Sequence, residues 1–141
     1  LKAKACVTTN LRIHGCVEQQ GDDYLDIYGS DKIHIRQLMT EKPEWAEKIL
    51  PGFPYVAAEV IWIAGNEMAE TIEDVLSRRL RILFIDAQAA KDMAPKVASL
   101  LAKALHADQD WENDQLEKFN KLADGYIYKS KSEAQNVILA Q

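Results

Sequence analysis

The chain has 141 residues and a mass of 15.9 kDa, enough for one domain with its own core, and 48% apolar against 28% charged residues excludes a disordered polymer. The 17 basic and 22 acidic residues give a net charge of −5 and an isoelectric point near 5.2, which argues against a nucleic-acid binder with its basic face and weakly against an anionic membrane surface. Cys6 and Cys16 make neither a disulfide framework nor a CxxC pair, so a reduced, intracellular setting is expected, and no run reaches the roughly 20 apolar residues of a membrane span.

Residues 1–29 lack helical periodicity and are punctuated by Gly15, Gly21 and Gly29, so they read as an extended connector arm that needs a surface to lean on. Helical patterning begins at residue 30, with Ser30 as candidate N-cap before Ile33, Ile35 and Leu38. Pro43 suits the first turn of a short helix running through Trp45 to Leu50, which Pro51-Gly52-Phe53-Pro54 breaks. Between Val56 and Phe84, Ile61, Ala64, Met68, Ile72, Val75 and Leu83 share a helical face interrupted by Arg79, and Glu59, Asn66, Glu70, Glu73 and Ser77 line another. Val56 to Ala64 is apolar nearly all round, Gly65 is a candidate bend or close helix contact, and Thr71 is a candidate cap. One long helix and two consecutive ones both fit. Asp86 is expected to cap the next helix, and Pro95 to break or kink it. The last helix is expected from near Asp108, through Trp111, Leu116, Phe119 and Leu122, to a left-handed Gly125. The expected fold is all-α: five to six helices over residues 30–128, with the arm in front and a tail at 129–141. Leu1 in place of Met leads us to expect a piece of a longer polypeptide.

The side chains that carry chemistry are dispersed. His14, His34 and His106 belong to no HExxH, HxH or Cys/His cluster, so no metal site is expected. His14, in the arm between Ile13 and Gly15, reads as a surface or structural histidine with a second reading as one facing a site. Glu67, Glu70, Glu73 and Asp74 crowd one helix, but Arg78, Arg79 and Arg81 follow, and Asp74 to Arg78 is an i,i+4 pair in the favourable order. A charge ladder therefore outweighs acid–base or metal chemistry at Glu67, Glu70 and Asp74. Arg78, Arg79 and Arg81 present planar forks that suit phosphate or carboxylates, and they also complement a helix C-terminus. Arg79, on the apolar face, is expected to be buried in an interdomain or structural salt bridge. There is no GxSxG elbow, and the six glycines are too far apart for GxGxxG or a P-loop. From motifs alone the chain reads as a helical interaction or cap domain without an active centre of its own.

The run Glu59-Val60-Ile61-Trp62 … Asn66-Glu67-Met68-Ala69-Glu70-Thr71-Ile72-Glu73-Asp74-Val75-Leu76-Ser77-Arg78-Arg79-Leu80-Arg81-Ile82-Leu83-Phe84-Ile85-Asp86-Ala87 resembles the C-terminal domain of FAD-dependent glycerol-3-phosphate dehydrogenases and oxidases. Leu11-Arg12-Ile13-His14-Gly15 is similar to an LPLHG segment of that family, and Leu25-Asp26-Ile27-Tyr28-Gly29-Ser30 to an LYGSD segment. Pro54-Tyr55 and Ala94-Pro95-Lys96-Val97-Ala98 fall in the same order, so the likeness covers roughly residues 5 to 128. Gly65-Asn66 stands where many members carry Arg-His, and Arg12 where proline is usual. The resemblance implies a cap packed on an N-terminal FAD and substrate domain of the same polypeptide, which oxidises sn-glycerol 3-phosphate to dihydroxyacetone phosphate and passes electrons to quinone or oxygen. It places the flavin and substrate residues upstream of Leu1, implying that this chain alone binds no FAD and is inert. It further implies a cytoplasmic parent, or one held peripherally on the inner face of the cell membrane. The interdomain or structural candidates are His14, Glu59, Glu70, Asp74, Arg78, Arg79 and Arg81. A rival reading is a free-standing helical adaptor that grips an acidic partner through Arg78 to Arg81.

Overall fold

The structure, a computed structural model, describes residues 6–17 and 21–128. It is all-α, with helices α1 Lys32–Glu41, α2 Ala57–Asn66, α3 Ile82–Ile85, α4 Ala87–Leu105 and α5 Gln109–Asp124. Two 3-10 segments, Tyr24–Asp31 and Pro43–Ala46, and a π-helical stretch, Asp74–Arg79, complete the described elements. No strand occurs among the described residues, although Lys48 and Val56 form an isolated antiparallel bridge that closes the loop before α2.

Helix α4 is the spine. Ala89, Ala90, Met93, Ala94, Val97, Ala98, Leu101 and Ala102 are buried along one of its faces, and the many alanines let neighbouring helices approach closely. Against them lie Phe119 and Ala123 of α5, Val60 and Ile63 of α2, Val75 and Leu76 of the π stretch, and Ile82 and Leu83 of α3. A second, smaller nucleus joins Leu25, Ile35, Val56 and Ala58, with Trp45 and Trp62 packed on it. Tyr28 packs against both nuclei. Each fully buried Leu, Ile, Val or Met contributes about 1.5–3 kcal/mol from removal of apolar surface from water.

Several local signals act as expected. Asp86 accepts from the Ala89 amide and Asp108 from the Trp111 amide, both at 2.9 Å, so α4 and α5 start on their aspartates. Pro43 opens its turn. The Val56–Phe84 stretch divides: α2 ends at Asn66, Met68 takes a left-handed conformation (φ 54°), and a new helical start follows at Thr71.

Other expectations are corrected. The arm is not extended to residue 29, because Asp23 and Asp26 form a capping box that winds Tyr24–Asp31 into a 3-10 helix. Ser30 does not cap α1; its amide is tied to the Gly15 carbonyl at 3.1 Å and α1 begins after Asp31. The Pro43 helix stops at Ala46, short of Leu50. Gly65 lies inside α2 with open space around its Cβ position, so it marks neither a bend nor a close contact. Pro95 neither breaks nor ends α4, which runs unbroken around it with Pro95 exposed to solvent. Gly125 ends α5 in the right-handed region (φ −72°), not the left-handed one. The expected tail 129–141, and the arm at 1–5 and 18–20, lie outside the described residues.

Candidate functional site

The most consequential side chain is Glu59. It is the third residue of α2 and fully buried, within a run where Val56, Ala57, Ala58 and Val60 are buried too. One carboxylate oxygen folds back to accept the Val56 amide at 2.8 Å, which satisfies a helix N-terminal donor. The other accepts the Tyr28 hydroxyl at 3.0 Å. Burial pushes the Glu59 carboxyl above the ordinary glutamate range, and the two hydrogen bonds offset this only in part. Burial, and then the nearby Glu59 charge, drive the Tyr28 phenol far above its ordinary value, and the same causes push Tyr24 up to about 12.

The segment from Glu67 to Arg81 sorts its charges within the chain. Asp74 and Thr71 cap each other: Asp74 Oδ2 accepts the Thr71 amide (3.0 Å) and hydroxyl (2.7 Å), and Thr71 Oγ1 accepts the Asp74 amide (3.1 Å). Glu70 is exposed and gives its amide to the same carboxylate at 3.2 Å. Arg78 bridges Asp74 (2.6 Å) and Glu73 (2.8 Å). Arg79 pairs with the Glu67 carboxylate at 3.1 Å and also donates to the Glu67 carbonyl. Burial holds the Glu67 carboxyl up despite the Arg79 charge. Arg81 is exposed, stands in the left-handed region (φ 60°) between the π stretch and α3, and has no ion-pair partner among the described residues.

These elements frame two adjoining recesses. One, of about 440 Å³, has walls of Tyr24, Ile27, Tyr55, Leu80, Phe84 and Ile85, and Glu59, Arg79 and Arg81 also line it. Tyr55 braces it by donating to the Leu80 carbonyl at 3.2 Å. The second, of about 630 Å³, lies on the other side of Ile27, between arm residues 13–17 and Asp26, Tyr28, Gly29, Asp31 and Glu67. Here Gly15 and Gly29 meet backbone to backbone: a Cβ on Gly29 would lie 1.8 Å from the Gly15 carbonyl oxygen. His14 Nε2 sits 2.7 Å from Asp31 Oδ2. A third recess, of about 510 Å³, carries Lys42, Trp45, Lys96 and Lys103. Its lysines are engaged in part, Lys42 lying over the Trp45 ring at 4.3 Å and Lys96 bonding Glu47 and the Lys48 carbonyl.

Of the seven candidates, the structure brings Glu59, Arg79 and Arg81 to one recess and His14 to its neighbour, pairs Asp74 with Arg78 elsewhere, and leaves Glu70 touching that pair through its backbone amide alone. Arg79 is half-buried and paired inside the chain with Glu67. Sequence reasoning missed Tyr28 and Glu67 as the partners. The available signal was Glu59 itself, a carboxylate in an apolar run that needs a donor. Among the described residues no three His, Cys, Asp or Glu side chains converge to hold a metal, and no helix is long and apolar enough to cross a membrane.

The model of the C-terminal domain of alpha-glycerophosphate oxidase matches residues 6–112. A probable mitochondrial glycerol-3-phosphate dehydrogenase of Dictyostelium discoideum is 26% identical over 88% of this chain and 21% of its own length. The mitochondrial glycerol-3-phosphate dehydrogenases of Macaca fascicularis and Homo sapiens are each 36% identical over 61% of this chain and 12% of their own. The chain thus spans 12–21% of these curated relatives. No solved structure matches it.

Proposed function

The chain belongs to the family of the C-terminal domain of alpha-glycerophosphate oxidase, and from that premise we propose that it is the helical cap of an FAD-linked glycerol-3-phosphate dehydrogenase. The observation that carries the reading is the family match over residues 6–112 in a chain that spans 12–21% of dehydrogenases bearing that activity in their names. The parent would oxidise sn-glycerol 3-phosphate to dihydroxyacetone phosphate, with FAD in the N-terminal part accepting the hydride and passing electrons to quinone or oxygen.

The residues described do not fit a flavin site. A dinucleotide cradle is built from a strand, a glycine-rich turn and a helix N-terminus open to pyrophosphate. Here the N-termini of α2, α4 and α5 are each engaged by the chain's own Glu59, Asp86 and Asp108, and Gly15 and Gly29 are spent on each other. This supports assigning cofactor and substrate binding to the N-terminal part, with the cap stabilising it. The named relatives are mitochondrial, and this reading keeps for the parent either the cytoplasm or a peripheral place on a membrane face. The rival adaptor reading loses ground because Arg78 and Arg79 are already engaged by Asp74, Glu73 and Glu67.

The test is to express the complete polypeptide and this 141-residue chain side by side and assay bound flavin and glycerol 3-phosphate oxidation with a dye acceptor. Flavin and turnover are expected only in the complete polypeptide. Flavin held by the short chain, or a complete polypeptide inert towards glycerol 3-phosphate, would overturn the reading.

A further inference from the structure

We propose that the 510 Å³ recess between the Pro43–Ala46 segment and the flank of α4 is a binding site for a phosphate monoester that carries a flat apolar ring, with the ring on Trp45 and the phosphate held by Lys42 and Lys103. The proposal goes beyond the cap reading and does not depend on it.

The lining carries the inference. Ala57, Ile61, Leu100 and Ala104 make much of it apolar, and the half-buried Trp45 adds an indole. The volume of 510 Å³ falls within the roughly 300–1,000 Å³ of small-molecule sites, which combine an apolar lining with a few polar groups. Lys96 and Lys103 stand two turns apart on α4, with the half-buried Ser99 between them in sequence, and Lys42 comes from the other wall. Three lysines meet two glutamates here, Glu44 and Glu47, a positive excess in a chain whose net charge is −5. The recess thus inverts the sign of the molecule that carries it.

The three lysines are not equally committed. Lys96 donates to the Lys48 carbonyl at 2.9 Å and reaches Glu47 at 3.3 Å, but that carboxylate is 67% exposed, so water screens the pair. Lys96 is held in place more than it is neutralised. Lys42 lies 4.3 Å from the centre of the Trp45 ring, a contact that an arriving phosphate exchanges for a stronger charge-assisted bond while uncovering the indole. Lys103 is exposed, with neither an ion pair nor a hydrogen bond among the described residues. A compact ammonium suits phosphate as a point charge, and the Ser99 hydroxyl adds a donor. Glu44 and Glu47 oppose any anion, which favours a ligand that brings ring contact as well as charge over a bare ion.

The experiment titrates the complete polypeptide with phenyl phosphate by calorimetry, in enough glycerol 3-phosphate to occupy the proposed substrate site. One phenyl phosphate per chain is expected to bind, and inorganic phosphate and phenol should each bind about tenfold more weakly or worse. Lys103→Gln and Lys42→Gln should each weaken phenyl phosphate by about tenfold, as expected for the loss of one charge-assisted contact, while Glu44→Gln should tighten it. Lys118→Gln, on α5 outside the recess, should change nothing. Phenyl phosphate that fails to bind, that binds both lysine variants as well as the wild type, or that binds no better than inorganic phosphate would overturn the proposal. The readout is binding and not turnover, so an inert polypeptide would sink the cap reading and leave this measurement standing.

Discussion

Tyr28 and Glu59 are 31 positions apart in sequence, yet the phenol of one donates to the fully buried carboxylate of the other at 3.0 Å. The pair links the Tyr24–Asp31 segment to the first turn of α2, and the Val56 amide completes the carboxylate's partners on the helix side. No cation pairs with this acid among the described residues, so its environment favours the neutral form over what water would allow.

This makes stability pH-dependent with a definite sign. Burial raises the folded-state value of Glu59 above its ordinary 4.5, so its contribution is fully present below that value and is lost as pH rises through the folded one. Relative to Glu59→Gln, the wild type is therefore expected to lose stability as pH rises above the ordinary 4.5. Urea unfolding of both proteins at several pH values measures this; a constant difference would refute it. Tyr28→Phe, which takes a donor from the carboxylate, should cost about 1–3 kcal/mol at neutral pH.

Asp74 has the opposite sign. Partial burial raises its carboxyl, but the Thr71 hydroxyl, the Glu70 and Thr71 amides and the Arg78 charge outweigh this and hold it below the ordinary 3.8. Its contribution is present above that value and lost as pH falls through the folded one. Thr71→Ala is expected to cost about 0.5–2 kcal/mol as a lost cap. In Asp74→Asn the acid limb of the stability curve should flatten, and an acid titration followed by circular dichroism reads both.

Gly29→Ala tests how the arm is held. Its new methyl group would fall 1.8 Å from the Gly15 carbonyl oxygen, at a φ of +56° that side chains disfavour. The expected result is release of residues 13–17 and loss of the His14–Asp31 contact, seen as a shift of the His14 ring resonances, with α4 and α5 intact. An unshifted His14 would show that the arm needs no such approach.

Pro95 sits inside α4 without a donor for the Lys91 carbonyl, one turn before it. Because the helix continues unbroken past the ring, Pro95→Ala is expected to stabilise the domain by about 1–3 kcal/mol, against a full helix-interior penalty near 3. A lowered midpoint in thermal unfolding would mean that the ring itself is needed.

What could be read in the sequence was local. Asp86, Asp108, Thr71 and Pro43 act on backbone groups within three residues of themselves, and each does in the structure what its chemistry suggests. The errors arose where a distant group decides. Ser30 is tied by its amide into the preceding 3-10 segment against Gly15, so α1 starts after Asp31 and the Ser30 hydroxyl turns to the Asp31 carboxylate, and Arg79 takes Glu67 across the turn that Met68 makes possible. Gly125 ends α5 without its usual left-handed turn, and Pro95 does not break α4, because the surrounding helix is held by its own packing. Of the candidate site, Glu59 and Arg81 were visible as residues, but the recess joining them comes from Tyr24, Ile27 and Tyr55, whose convergence no spacing reveals.

The two apolar nuclei that share Tyr28 also bear on cooperativity. The larger is held by α4, with its neighbours on several sides, and the smaller rests on Leu25, Ile35, Val56 and Ala58. A smaller nucleus has less buried apolar surface to lose, so the front portion through α1 is expected to open locally before the bundle around α4. Helix α2 carries side chains of both nuclei, Ala58 in the smaller and Val60 and Ile63 in the larger, so the strength of that one helix sets how far the two parts unfold together.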